Sequence, residues 1–159
     1  MSESIRLAEG AAAPDFSMPA SGGRTVSLAA LKGAPFLLYF YPKADTPGCT
    51  KQACDIQEAL PQLGGLGLTV IGVSPDKLPP IEKFATKFGL GFPLASDEDH
   101  AVAGAYGTWV EKSMYGKKYM GMERSSFLID AKGTIARVWR RVKPEAHAAE
   151  VLKAAATLR

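Results

Sequence analysis

Two cysteines, Cys49 and Cys54, are the residues of this 159-residue chain whose type and spacing best suit covalent chemistry. They lie in the segment 39–54, YFYPKADTPGCTKQAC, which overlaps the end of an apolar and aromatic run typical of a buried strand. Thr46 suits the N-cap of the next helix and Pro47 its first position, so that Cys49 falls in the first helical turn. Unpaired backbone N–H groups and the positive end of the helix dipole stabilise a thiolate there. The thiolate is the reactive form of cysteine, and the sequence therefore predicts a nucleophile.

The spacing of the two cysteines limits how they can form a disulfide. In an intact helix, five positions correspond to a rise of about 7.5 Å and a turn of roughly 140°, which puts the Cα atoms about 8–9 Å apart. A disulfide needs Cα atoms within about 7 Å of each other. A bridge between Cys49 and Cys54 therefore requires the first turns of the helix to unwind. The residues alone leave open a structural role, above all for Cys54, because free cysteine is often a buried packing residue.

Composition and charge are those of an ordinary globular chain, with 47% hydrophobic residues, 22% charged residues and a net charge of +3. These values exclude wholesale disorder, collagen and coiled coils. Residues 1–10 contain no apolar run of the kind found in secretion signals, and no apolar stretch is long enough to span a bilayer. We therefore expect a cytoplasmic protein that binds neither membranes nor nucleic acid, for which no recognition motif is present.

Metal binding is not indicated either. Zinc usually takes four nitrogen or sulfur ligands, and the chain offers its two cysteines together with His100 and His147, none at paired ligand spacing. We interpret the two histidines as surface or helix residues. The sequence thus predicts no metal and no other cofactor.

The elements that must position the cysteines alternate between strand and helix patterns. Strands over 34–41 and 68–74 with a helix over 50–63 between them form a βαβ unit, which pairs the strands in parallel. We expect the first thirty residues to be loop-rich and 115–122 to be an exposed loop that could rim an entrance. The remaining expected elements are helices over 79–90, 100–106 and 144–158, a short strand over 92–95, and a hairpin of 126–130 with 134–139. The fold class is α/β, in a single domain over residues 1–159.

The same segment resembles a known family. Pro42, Thr46 and Cys49 form the pattern Pro-x-x-x-Thr-x-x-Cys of the peroxiredoxin active site, and the wider string is similar to the PrxQ, or bacterioferritin comigratory protein, branch. The resemblance extends over APDF at 13–16, VSLAALKG at 26–33, YGKKYMG at 115–121 and RSSFLID at 124–130. In the last string Arg124 matches the active-site arginine of that family. One departure is Gln52, which stands where the branch usually has glutamate.

The resemblance implies a thioredoxin-like fold, with a central mixed β-sheet flanked by helices, and thiol-dependent reduction of hydrogen peroxide and organic hydroperoxides in antioxidant defence. It implies that Cys49 is the peroxidatic nucleophile and becomes a sulfenic acid. Thr46 would hydrogen-bond the peroxide, Arg124 would stabilise the developing charge, and Pro42 would shield the site from water. Cys54 would be the resolving cysteine of an intramolecular disulfide, which thioredoxin or a similar dithiol reduces. The resemblance also implies a monomer.

A second function stays open beside the enzyme. Oxidation of Cys49 could unwind the helix and change a partner surface, which would make the chain a redox-sensing binding protein. Individually, Thr46 could be only a helix cap and Arg124 only a solvated charge at a strand edge. Sustained peroxide turnover distinguishes the enzyme from the sensor.

Overall fold

The computed structural model describes residues 7–158 and is built around a seven-stranded mixed sheet. Within residues 7–158 the strands in chain order are β1 Ser17–Ala20, β2 Arg24–Ser27, β3 Phe36–Phe40, β4 Thr69–Ser74, β5 Leu94–Ser96, β6 Trp109–Met114, β7 Lys117–Met122, β8 Ser125–Ile129 and β9 Ile135–Trp139. The helices are α1 Leu28–Leu31, α2 Pro47–Gly65, α3 Leu78–Lys87, α4 Ala101–Ala105 and α5 His147–Ala156. Short 3-10 turns cover Ser21–Gly23 and Pro144–Ala146.

The order of the strands places β3 in the interior of the sheet. The sheet runs β2-β1-β5-β4-β3-β8-β9, while β6 and β7 form a separate two-stranded sheet. Strand β3 pairs in parallel with β4 and antiparallel with β8. The predicted βαβ unit, β3-α2-β4, and the predicted β8–β9 hairpin are both confirmed.

Strand β3 is apolar throughout because both of its faces are covered. Leu37 and Tyr39 pack into a cluster with α2, α3 and α5, whereas Phe36, Leu38 and Phe40 pack into a second cluster with α1 and α4. All five residues are at most 1% exposed. Such burial on both faces explains the continuous apolar run, and the mixed sheet between helices confirms the predicted fold class.

Of two predictions about loops, one holds in part and one is wrong. Of the first thirty residues, 1–6 lie outside the described part of the chain and 7–16 form no regular element, but 17–27 contain the antiparallel pair β1–β2, whose residues Met18, Ala20 and Val26 are buried against the sheet. The expected loop at 115–122 is mostly strand β7, paired with β6 through a two-residue turn at Tyr115 and Gly116. Both turn residues have positive φ, 51° and 77°, which is the turn geometry that matches the twist of a hairpin.

Among residues 7–158, no helix is both long enough and apolar enough to cross a membrane.

Candidate active site

The connection from β3 to α2 places Cys49 at the start of a helix. Thr46 occupies the N-cap with extended backbone (φ −104°, ψ 156°), and its carbonyl accepts the first helical hydrogen bond from the Thr50 N–H at 2.8 Å. Its hydroxyl does not act as the predicted cap acceptor; it donates to the Lys43 carbonyl at 2.8 Å. Pro47 follows as the first helical residue, which puts Cys49 in the first turn as predicted. The positive end of the helix dipole therefore faces the thiol.

The register of the sheet brings Arg124 to this thiol from far along the chain. Phe40, the last residue of β3, pairs with Ser125, the first residue of β8. Arg124 immediately precedes Ser125, so it lies beside the C-terminal end of β3, where the chain passes into α2. Its Nη2 donates to Cys49 Sγ at 3.2 Å, and the Cys49 side chain is 2% exposed. The site thus combines a buried thiol, a helix N-terminus and a guanidinium.

Three further polar residues continue the network behind Arg124. Arg124 Nη1 donates to Gln52 Oε1 at 2.6 Å, and Gln52 Nε2 lies 3.1 Å from His147 Nδ1. His147 Nε2 lies 2.7 Å from the Ser126 hydroxyl oxygen. Burial, followed by the positive charge of Arg124, lowers the pKa of His147 to about 4. The imidazole is therefore neutral at physiological pH.

The other walls of the site are aromatic. The Tyr39 ring lies 5.6 Å from Tyr41 and 6.1 Å from His147, and Trp139 meets His147 edge-on at 6.2 Å. Burial is the main reason that the pKa of Tyr39 is raised well above its ordinary value. Lys112 on β6 adds a second cation, whose pKa is lowered by burial and then by the charge of Arg124. These surroundings exclude water and strengthen the electrostatic interactions around the thiol.

Cys54 lies on the same uninterrupted helix as Cys49, and both thiols are free. Cys54 is half-buried, and Pro42 is half-buried in the connection that follows β3. The structure thus brings Thr46, Cys49 and Arg124 together at one helix start, with Cys54 about a turn and a half further along. Among residues 7–158, no group of three or more His, Cys, Asp or Glu side chains could hold a metal ion.

His147 and Ser126 were missed by sequence reasoning. His100 is exposed, which agrees with a surface residue, and His147 is a helix residue, the first of α5, but it is 0% exposed and so does not lie on the surface. A signal was present, because His147 shares the spacing of the buried residues Val151 and Ala154 on α5. A histidine on the apolar stripe of a helix is a candidate for a buried polar contact.

The AhpC/TSA family pattern matches residues 10–138. The chain belongs to this family. Peroxiredoxin Bcp of Escherichia coli is 47% identical over 141 residues, which are 89% of this chain and 90% of that protein. The crystal structure of a Xylella fastidiosa PrxQ mutant superposes with a TM-score of 0.91 at 34% identity, covering 98% of this chain and 99% of that one.

A second solved structure concerns the reaction of a relative. It belongs to the bacterioferritin comigratory protein of Xanthomonas campestris, studied for alkyl peroxide reduction through trapped intermediate and ligand complexes. It has a TM-score of 0.86 and 39% identity, covering 90% of this chain and 91% of that chain. The resemblance to the PrxQ branch is confirmed, and the chain is a peroxiredoxin, a thiol-dependent peroxidase with a thioredoxin-like fold.

Proposed function

We propose that this peroxiredoxin reduces hydrogen peroxide and organic hydroperoxides with Cys49 as its nucleophile. The observation that carries the proposal is the buried Cys49 Sγ in the first turn of α2, with the Arg124 guanidinium 3.2 Å away. The thiolate attacks one peroxide oxygen, the O–O bond breaks, and the sulfur becomes a sulfenic acid. The other oxygen leaves as hydroxide or alkoxide and takes up a proton to give water or an alcohol.

Thr46, Arg124 and Pro42 have separate roles in this step. The Thr46 hydroxyl donates its hydrogen to the Lys43 carbonyl. The lone pairs of its oxygen can therefore accept a hydrogen bond from the O–H of a peroxide. Arg124 donates to the sulfur and stabilises the negative charge that moves onto the leaving oxygen. Pro42 lies half-buried in the connection between β3 and α2, and its apolar ring would shield the thiolate from water.

Cys54 is the resolving cysteine in our proposal. After the start of α2 opens, its thiolate attacks the sulfenic sulfur of Cys49, the S–O bond breaks, and an intramolecular disulfide forms while the departing hydroxide takes up a proton to give water. Thioredoxin or a similar dithiol then reduces the bridge, with the chain acting as a monomer. The cytosol suits this cycle because its thiol pool keeps both cysteines reduced.

A coupled assay tests the proposal. NADPH oxidation is followed with thioredoxin reductase, thioredoxin and the protein, with hydrogen peroxide or tert-butyl hydroperoxide as substrate. We expect sustained turnover that is absent in Cys49→Ser. A single stoichiometric oxidation without turnover would instead identify a redox-sensing binding protein.

A further inference from the structure

A chain of hydrogen bonds leads from the reactive thiol into the core and reaches His147. Arg124 Nη2 contacts Cys49 Sγ, and Arg124 Nη1 donates to Gln52 Oε1 at 2.6 Å. Gln52 Nε2 and His147 Nδ1 are 3.1 Å apart, and His147 Nε2 is 2.7 Å from the Ser126 hydroxyl oxygen. Gln52, Ser126 and His147 are all 0% exposed. Water therefore cannot easily replace a missing partner in this chain.

The donors and acceptors in this series of hydrogen bonds, from Arg124 to Ser126, fit only one arrangement of protons. A guanidinium only donates, so Gln52 turns its oxygen toward Arg124 and its NH2 group toward His147. His147 Nδ1 must then be unprotonated, in order to accept from that NH2 group. A neutral ring carries its proton on Nε2 and donates it to the Ser126 oxygen.

We propose that His147 is a positioning residue for peroxide reduction, which fixes the amide of Gln52 and thereby the guanidinium of Arg124. The inference rests on the proposed role of Cys49. Without an acceptor at the Nδ1 position, the NH2 group of Gln52 is buried without a partner, which is unfavourable. The amide then rotates or withdraws toward another acceptor. Arg124 Nη1 loses the oxygen that holds it, and Nη2 loses its alignment with the thiol.

Two replacements of His147 separate this role from simple packing. Asparagine can place its Oδ1 where Nδ1 stands, whereas leucine fills the space without an acceptor. We expect oxidation of Cys49 by hydrogen peroxide, measured in a single turnover, to be about tenfold slower in His147→Leu and within about threefold of wild type in His147→Asn. Leucine suits a buried position better, so urea unfolding should find His147→Leu the more stable variant. A faster reaction in His147→Leu than in His147→Asn would indicate packing alone and overturn the proposal.

Repeating the His147→Leu substitution in a protein that already carries Gln52→Glu makes the test independent of how the single variants pack. In Gln52→Glu both side-chain oxygens accept hydrogen bonds, so Arg124 finds an acceptor in either orientation. Adding His147→Leu to Gln52→Glu should therefore leave the oxidation rate of Cys49 almost unchanged. A loss of about tenfold in that background as well would contradict an action through the amide of Gln52.

The tautomer of His147 can be read in the unaltered protein. Nitrogen-15 NMR of the imidazole should show a proton on Nε2 and none on Nδ1 at neutral pH. A proton on Nδ1 would overturn the inference whether or not any variant folds. Wild-type protein that is inert toward peroxide would overturn the proposed function together with this inference. An active wild type with an equally active His147→Leu variant would overturn the inference alone.

Discussion

A single methyl group at Gly48 should slow the reaction with peroxide. Gly48 lies between Pro47 and Cys49, and a Cβ there would stand 3.2 Å from Arg124 Nη2 and 3.5 Å from Pro144 Cγ. Gly48 is not among the glycines with positive φ, so the backbone itself accepts alanine. The perturbation in Gly48→Ala is therefore steric and falls on the guanidinium.

The size of the effect follows from the contacts of Arg124. To lengthen the distance between the new Cβ and Arg124 Nη2 from 3.2 Å to an ordinary contact of about 3.5 Å, Nη2 must move by about 0.3 Å. Nη1 is tied to Gln52 Oε1 at 2.6 Å, so the guanidinium cannot retreat without lengthening its contact to Cys49 Sγ. A hydrogen bond to a charged group contributes about 1.5–3 kcal/mol, and losing a part of it raises the barrier by about 1 kcal/mol. That corresponds to a reaction about fivefold slower.

Rapid mixing of reduced protein with hydrogen peroxide, followed by mass spectrometry of Cys49, measures this rate. Gly64→Ala is the matched control, since Gly64 lies on the same helix and a Cβ there meets nothing within 4 Å. The control should react at the wild-type rate and gain up to about 1 kcal/mol in free energy of unfolding. If Gly48→Ala is oxidised as fast as wild type, the position of Arg124 does not govern the rate.

Three further predictions concern single residues. Arg124→Ala should slow Cys49 oxidation about a hundredfold, because the charge beside the sulfur is lost; an unchanged rate would refute this role. Cys54→Ser should undergo the first oxidation at nearly the wild-type rate but yield no intramolecular disulfide, and its Cys49 should progress to sulfinic acid, as peptide mass spectrometry would show; full thioredoxin-coupled turnover in this variant would exclude Cys54 as the resolving residue. The free energy of unfolding should fall by up to about 3 kcal/mol between pH 6.5 and pH 4, because the pKa of His147 is about 4 in the folded protein and 6.5 when unfolded.

The sign of the pH effect follows from the neutral form of the imidazole. Above pH 6.5 both states carry neutral imidazole, so stability does not depend on it; below that pH the unfolded state binds the proton first. Urea unfolding at several pH values should therefore show a shallower loss in His147→Leu than in wild type. Burial raises the pKa of Asp97, which acts in the opposite direction, but Asp97 is common to both proteins and cancels in the comparison. Equal slopes would contradict the prediction.

Local patterns in the sequence were enough to predict the centre of the fold. Strands β3 and β4 are continuous apolar runs because they are buried on both faces, and Thr46 with Pro47 marks the start of α2. Strands β6 and β7 escaped prediction because much of their surface is exposed and no alternating apolar face results. His147 escaped because its partners Gln52 and Ser126 lie 95 and 21 residues away. Only the sheet register and the packing of α5 on α2 bring them together.

Helix α2 runs without interruption through both cysteines, so a disulfide between them can form only as fast as the helix opens locally. Of the four residues between the thiols, Gln52 and Ala53 are 0% exposed, so opening these turns removes two side chains from the core. In the proposed cycle, in which Cys54 is the resolving residue, the free energy of that local opening governs how long the sulfenic acid of Cys49 persists before the disulfide forms. A tighter helix start prolongs the wait and gives a second peroxide molecule time to carry the sulfur to sulfinic acid. In that cycle, the local stability of the start of α2 sets the peroxide concentration at which Cys49 is overoxidised.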